Sequence, residues 1–289
     1  MKYPIEKPAF IEKLTRSAIM SCIAGMMILW VSFGVRQSFG LYMIPITQEY
    51  GWSRSTFSIA AALLQLFWGC SQPFLVYLAE RYVGFGKTIF FTSILYGIGC
   101  IVMQLCSPNQ PGLFIFAMGI VVGGAAGGNS FPNVLASIGR RFVRGSDQQS
   151  MAFGIVSAFG SFGQGFFLPV SNVMIHNIGW KNTLLILGIL AVAVSPFAFF
   201  LQTVEPVSAE STLKSEEKDE EQPNPDEFKE AAISNEPQTI SAALKEGFSS
   251  LTFWLIILGY SVCGFHVSFI ATHLPAYLVG NGLDGSVAA

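Results

Sequence analysis

Charged residues are scarce in this sequence, and acidic ones are missing from its long apolar stretches. Asp, Glu, Lys and Arg make up 12% of the 289 residues, whereas soluble domains average about 25%. The interior of every long apolar stretch lacks a carboxylate. The sequence therefore argues against an intramembrane enzyme that works with carboxylates, and against a proton relay built from acidic side chains.

Cysteine is also sparse, and its spacing indicates no metal or redox chemistry. None of the five cysteines belongs to a Cys-x-x-Cys pair, and all lie in or beside apolar stretches, so we expect small buried side chains. The segment "GKT" at 86–88 resembles the end of a phosphate-binding loop, but Arg81 occupies a position that requires glycine. The segment "FGSFGQG" around Ser161 lacks the spacing of a serine hydrolase. We predict no enzyme, no cofactor, no metal and no nucleic-acid partner.

Apolar residues are abundant, at 52% of the chain, and they form seven long runs. A helix of about 20 apolar residues crosses the roughly 30 Å hydrocarbon core of a bilayer. The qualifying runs are residues 18–43, 57–79, 88–106, 112–138, 151–175, 183–203 and 251–278. Because backbone groups in lipid must bond within their own segment, these runs predict an all-α membrane protein. The first run is too long for the core of a signal peptide, so we expect it to remain as a helix.

Basic residues are distributed unevenly between the segments that separate the runs. With the N-terminus inside, nine lie on the inner side and only Arg54 and Lys181 on the outer side, before the long loop is counted. The nine inner residues are Lys2, Lys7, Lys13, Arg16, Arg81, Lys87, Arg140, Arg141 and Arg144. This asymmetry predicts a cytoplasmic N-terminus.

The composition changes abruptly after Val204. Residues 205–246 contain twelve acidic residues, four lysines and four prolines, which gives a net charge of −8. Such a segment cannot bury enough apolar surface to fold, so we predict a disordered cytoplasmic linker that serves as a tether or as a partner-binding site. The chain then divides into a six-helix bundle (1–203), this linker (204–247) and the first helix of a second half (248–289), which we expect to be incomplete.

Arg36 is the only Asp, Glu, Lys or Arg within the seven runs. It lies about 28 Å along a helix that starts at Ser17, which places it in the outer third of a membrane. The charge would cost about 2.5–3.5 kcal/mol at the membrane centre and less near the interface. Two interpretations remain open: an anchor that reaches the outer interface, and an electropositive mouth or cavity wall that attracts anions.

Polar side chains recur at helical spacing in several runs. They are Gln65 and Gln72 in the second run, Asn129 and Asn133 in the fourth, and Ser161 and Gln164 in the fifth. Hydrogen bonds between helices, worth about 1 kcal/mol or less each, would explain any single pair. The seventh run also has a polar face, and polar faces on four helices favour a shared cavity.

The polar face of the seventh run consists of His266, His273 and Tyr277. These side chains could bind protons or a carboxylate ligand, and the alternative is hydrogen bonding to neighbouring helices. Two histidines two turns apart do not chelate one metal ion.

Several stretches match the pattern of one membrane-protein family. "FGVRQSFGLYMIPITQEYGWSRSTFS" covers the end of the first run and the start of the second, and "FHVSFIATHLPAYLVGNGL" covers the seventh. "VYLAERYVGFGK" at 76–87 is similar to a Gly-x-Leu-Ala-Asp-Arg-x-Gly-Arg/Lys loop, with Val76 in place of Gly and Glu80 in place of Asp. Together they resemble the major facilitator superfamily, most closely its bacterial monocarboxylate transporter and oxalate:formate antiporter group. In the family this loop stabilises one gating state by charge pairing, a role that the resemblance gives to Glu80, Arg81 and Lys87.

The resemblance implies twelve helices in two halves, with a substrate site between them, and secondary active transport by alternating access across the cell inner (plasma) membrane. It implies small organic anions such as monocarboxylates as cargo, with protons as a candidate co-substrate in symport or antiport. In this group a basic residue in the eighth helix is expected to hold the substrate carboxylate, so the missing C-terminal helices are expected partners. Transport of another small solute is one alternative. A truncated or regulatory membrane protein that transports nothing alone is the other.

Overall fold

Long helices make up the computed structural model, which describes residues 16–202, 245 and 247–281. Six helices in this part of the chain are long and apolar enough to cross a membrane. They are α1 (Arg16–Tyr50), α2 (Arg54–Val83), α3 (Phe85–Leu105), α4 (Pro111–Gly139), α5 (Asp147–Leu201) and α6 (Leu251–Gly280). The predicted all-α membrane fold is confirmed. The predicted linker at 204–247 lies outside the described residues, apart from 245 and 247.

Helix α5 contains both the fifth and the sixth predicted spans. The two are separated at Gly179, whose φ of 80° and ψ of 159° are not helical. Residues with a Cβ atom rarely adopt this backbone conformation, so glycine is suited to the break. Each of the seven apolar runs therefore corresponds to helix in the described residues, and the fifth and sixth are separated at Gly179.

The chain divides into two compact units, residues 1–207 with 268–289, and residues 208–267. The first unit contains α1 to α5 and the last part of α6. Within it, 61% of the most apolar 18-residue stretch of α1 is buried, against 17% for the corresponding stretch of α2. This share is the highest among the spanning helices, so α1 is the central helix of the bundle. In the described part of the second unit, Trp254 Nε1 donates a hydrogen bond to the carbonyl oxygen of Phe248 at 3.0 Å.

Helix α4 is interrupted where the sequence concentrates glycine and asparagine. A π-helical segment, Phe116–Val122, leads into Gly123–Gly128, and the helix restarts at Phe131–Gly139. Interruptions inside a membrane require other groups to satisfy the freed backbone. Here the Ser130 hydroxyl and the Asn133 amide both donate to the carbonyl oxygen of Gly127, at 2.6 and 3.2 Å.

Glycines in α4 and α5 allow neighbouring helices to approach closely. A Cβ atom built on Gly123 would lie 2.7 Å from the carbonyl oxygen of Leu64 in α2, and one on Gly163 would overlap the carbonyl oxygen of Trp30 in α1. Contacts of this kind are typical of small residues at interfaces between membrane helices. Gly124 differs, because nothing lies within 4 Å of the corresponding position.

Both ends of α1 are fixed by polar contacts. At its C-terminal end, the Glu49 carboxylate accepts hydrogen bonds from Trp180 Nε1 at 2.5 Å and from Lys181 Nζ at 2.7 Å. At its N-terminal end, Arg141 donates to the Ser17 hydroxyl and to the carbonyl oxygen of Phe200, the latter at 3.0 Å. A cation at a helix C-terminus complements the helix dipole, so Arg141 stabilises the last turn of α5.

The glycine contacts predict different outcomes for two neighbouring alanine substitutions. We expect Gly123→Ala to lower the free energy of unfolding by about 1–3 kcal/mol, because the added methyl group meets the backbone of Leu64. Gly124→Ala is the matched control, and we expect it to leave stability unchanged or raise it by about 0.5–1 kcal/mol through helix propensity. The measurement is the thermal unfolding midpoint in detergent. Equal midpoints for the two variants would contradict the packing described here.

Candidate binding site around Arg36

The Arg36 side chain lies between α1 and α2. Its Nη1 atom donates a hydrogen bond to Gln65 Oε1 at 3.0 Å. Its guanidinium carbon is 4.1 Å from the ring centroid of Trp68 and 5.3 Å from that of Phe33. Guanidinium groups stack favourably on aromatic faces, with about 0.5–2 kcal/mol per contact. The Arg36 side chain is therefore held in place by the amide of Gln65 and by the two aromatic rings.

No carboxylate neutralises Arg36 within the described residues. The two salt bridges found there join Arg140 to Glu80 and Lys181 to Glu49. The amide of Gln65 supplies a hydrogen bond but no negative charge, and the other N–H groups of Arg36 have no acceptor in the part of the chain that the structure describes. A cation withdrawn from water without a counter-ion is costly, so the site favours an anion.

A narrow cleft beside Arg36 is formed by α1, α2, α4 and α6. Its polar lining consists of Arg36, Gln37, Gln65 and Thr272, and its apolar lining includes Phe39, Phe57, Leu64 and Met118. Small-molecule sites commonly combine a mostly apolar wall with a few polar groups that fix orientation. This lining suits a small molecule with one anionic end and an apolar remainder.

The predicted polar residues of α4 do not line this cleft. Asn129 is 2% exposed, and its Oδ1 accepts hydrogen bonds from Thr92 and Ser93 of α3, at 2.9 and 3.1 Å. Asn133 is fully buried and bonds to the backbone of its own helix. Asn129 therefore connects α4 to α3, whereas Asn133 bonds within α4.

Of the predicted polar residues in α2 and α5, Gln65 alone lines the cleft. Gln72, two turns further along α2, is half-buried and lies outside it. In α5, Gly160 and Gly163 provide the contact with α1. Ser161 is exposed and Gln164 is half-buried, and neither lines the cleft.

The predicted residues of α6 also have different surroundings. His266 is exposed, and its Nδ1 lies 2.8 Å from the carbonyl oxygen of Val262 in its own helix. His273 is half-buried with its ring 5.4 Å from that of Phe269, and Tyr277 is 65% exposed. Neither His273 nor Tyr277 lines the cleft.

Three polar contributors to the cleft were not predicted from the sequence, namely Gln37 beside Arg36 and two residues of α6. Ser268 accepts a hydrogen bond from Gln65 Nε2 at 2.8 Å, and Thr272 forms part of the lining. Both are small polar residues between the conspicuous histidines of α6, and Ser268 lies 203 residues from its partner Gln65. Their helical spacing of four is the one signal that could have paired them with each other.

The predicted gating loop between α2 and α3 contains an ion pair. Glu80 accepts a hydrogen bond from Arg140 Nη2 at 2.6 Å, and the Arg140 guanidinium also lies 5.2 Å from the ring centroid of Phe85. This joins the loop to the C-terminal end of α4. Arg81 and Lys87 are exposed, without an ion pair among the described residues.

Comparison with known proteins identifies the family but not the cargo. The family model described as Major Facilitator Superfamily matches residues 25–289, which is most of the chain and includes α2 to α6 in full. No curated protein matches the chain. Together with the membrane-spanning helices, the family match means that this chain belongs to the major facilitator superfamily, whose members are multi-pass membrane transporters rather than enzymes.

Proposed function

We propose that this protein transports small organic anions such as monocarboxylates by alternating access, with Arg36 in the substrate path. The observation that carries the proposal is a guanidinium that faces a cleft and has no carboxylate partner in the described residues. An anchor at the membrane surface would extend toward lipid headgroups. Arg36 instead contacts Gln65 and Trp68 on α2.

The chemistry of the cleft supports a carboxylate as the bound group. Hydrogen bonds between guanidinium and carboxylate are charge-assisted and about twice as strong as neutral ones. Arg36 is the one Lys or Arg that lines the described cleft, so it balances a single negative charge. The apolar side chains Phe57 and Met118 provide a surface for a short hydrocarbon group.

The first test replaces the charge at Arg36. We expect Arg36→Gln to reduce uptake of lactate or pyruvate into proteoliposomes at least roughly tenfold, because a hydrogen bond to a charged group is worth about 1.5–3 kcal/mol. Arg54→Gln is the control, since Arg54 is exposed at the start of α2. If Arg36→Gln transports the same anions at the same rate, the anchor interpretation stands and the cavity role is wrong.

Proton coupling through His266 is a second part of the proposal. Its Nδ1 lies against the carbonyl oxygen of Val262, which favours a proton on Nδ1 and leaves Nε2 free to accept another. A transport step that uses this proton would make the uptake rate depend on pH.

The expected result for His266→Asn is therefore an uptake rate for lactate that no longer depends on pH as it does in the parent protein. His273→Asn serves as the control, because the His273 ring is half-buried beside Phe269. Initial uptake rates at matched membrane potential provide the measurement. A pH profile like that of the parent protein would rule out His266 as the proton site.

The Glu80–Arg140 pair is proposed to stabilise one gating state, with Arg81 and Lys87 as the other basic residues of the loop. We expect Glu80→Gln and Arg140→Gln each to change the uptake rate by up to about fivefold, the effect of a partly exposed ion pair worth about 1 kcal/mol. The double variant Glu80→Arg with Arg140→Glu reverses the pair, and it should bring the uptake rate part of the way back to that of the parent protein. Arg144→Gln is the control, since Arg144 is exposed and lies outside the loop. The gating role fails if the reversed pair is no better than the single variants.

A further inference from the structure

The Gln65 side chain bridges two helices through the two ends of one amide. Its oxygen accepts from Arg36 Nη1 at 3.0 Å, and its nitrogen donates to Ser268 Oγ at 2.8 Å. Arg36 belongs to α1 and Ser268 to α6, while Gln65 itself lies on α2. One neutral side chain thus connects the unneutralised cation of α1 to α6.

The backbones of α1 and α6 also touch close to this bridge. A Cβ atom built on Gly40 would overlap the carbonyl oxygen of Ala271. Gly40 lies about one turn beyond Arg36, and Ala271 lies about one turn beyond Ser268. The bridge and the backbone contact therefore close the same part of the cleft, which is narrow in this state.

An anion at Arg36 would compete for both ends of the amide. Its carboxylate would displace Gln65 Oε1 from Nη1, because a charge-assisted hydrogen bond is stronger than a bond to a neutral amide. The freed amide would then rotate so that its NH2 group points toward the negative charge, and this rotation turns both N–H bonds out of line with Ser268 Oγ. The hydrogen bond between α2 and α6 would be lost as the anion binds.

We propose that Gln65 is a positioning residue that links anion occupancy at Arg36 to release of α6, from Ser268 onward, from α1 and α2. This inference rests on the proposed function, because it requires an organic anion at Arg36. It adds a residue-level link between binding and opening. In the empty site Gln65 holds Ser268 and the cleft is closed, and in the occupied site Gln65 binds the anion and the cleft opens.

The test measures how fast a reporter cysteine in the cleft is labelled. Thr272→Cys is introduced into a variant of the full protein that lacks the native cysteines, reconstituted in proteoliposomes, and labelled with a membrane-impermeant maleimide. Without anion, Gln65→Leu and Ser268→Ala should each raise the labelling rate roughly two- to tenfold, the effect of losing one hydrogen bond. The double variant should match the single ones, because both remove the same bond.

Lactate then tests the link to binding. It should accelerate labelling in the parent and in Ser268→Thr, which keeps the hydroxyl group, but not in Gln65→Leu. Ser261→Ala is the control on α6, since the Ser261 hydroxyl bonds to Leu258 of its own helix at 2.8 Å. If Gln65 only held α2 and α6 together, Gln65→Leu would change the labelling rate without anion, but lactate would still accelerate labelling.

The outcomes separate this inference from the proposed function. If lactate is transported but Ser268→Ala labels like the parent, or Gln65→Leu still responds to lactate, the Gln65 link is wrong and the transport proposal stands. The labelling rates without anion could instead rise as expected while lactate, pyruvate and acetate are neither transported nor change the labelling rate. In that case the anion proposal fails, and the proposed role of Gln65 fails with it.

Discussion

The constraint on which this fold depends is that apolar surroundings offer no partners for polar groups. Backbone groups must bond within their helix, so each interruption needs a local solution. At the break in α4, Ser130 and Asn133 donate to the carbonyl oxygen of Gly127. At the break in α5, Gly179 adopts a backbone conformation that other residues avoid, and Trp180 next to it bonds to Glu49. The break in α4 is thus satisfied within that helix, whereas the break in α5 also connects two helices.

The same constraint gives the charge of Arg36 its significance. A guanidinium on the most buried helix requires compensation, and the described structure provides aromatic faces and an amide rather than a carboxylate. Glu49 and Glu80, by contrast, pair with Lys181 and Arg140 near the ends of the bundle. In the described part of the chain, carboxylates thus form ion pairs near the helix ends, and none lies beside Arg36 in the cleft.

Structural features that depend on local sequence were predictable here, and those that depend on contacts between distant residues were not. Apolar runs of about 20 residues specify membrane helices whatever surrounds them, so every predicted span is helical. Whether a polar residue lines a cleft or forms a strut depends on its neighbour, which helical spacing does not reveal. Asn129 and Gln65 look alike in the sequence, yet Asn129 bonds to α3 and Gln65 bridges α1 and α6. Ser268 carried no signal of its own, because its partner is 203 residues away.

In the proposed mechanism, a glutamine at position 65 suits a site that binds an anion and then releases it. A glutamate there would form a permanent ion pair with Arg36, and an incoming carboxylate would have to break that pair against electrostatic repulsion. Alanine would leave the guanidinium without an acceptor and α6 without a donor. An amide matches the geometry of both neighbours while leaving the positive charge available. It holds the empty site together weakly enough that a small anion, supplying the charge that glutamine lacks, can replace it.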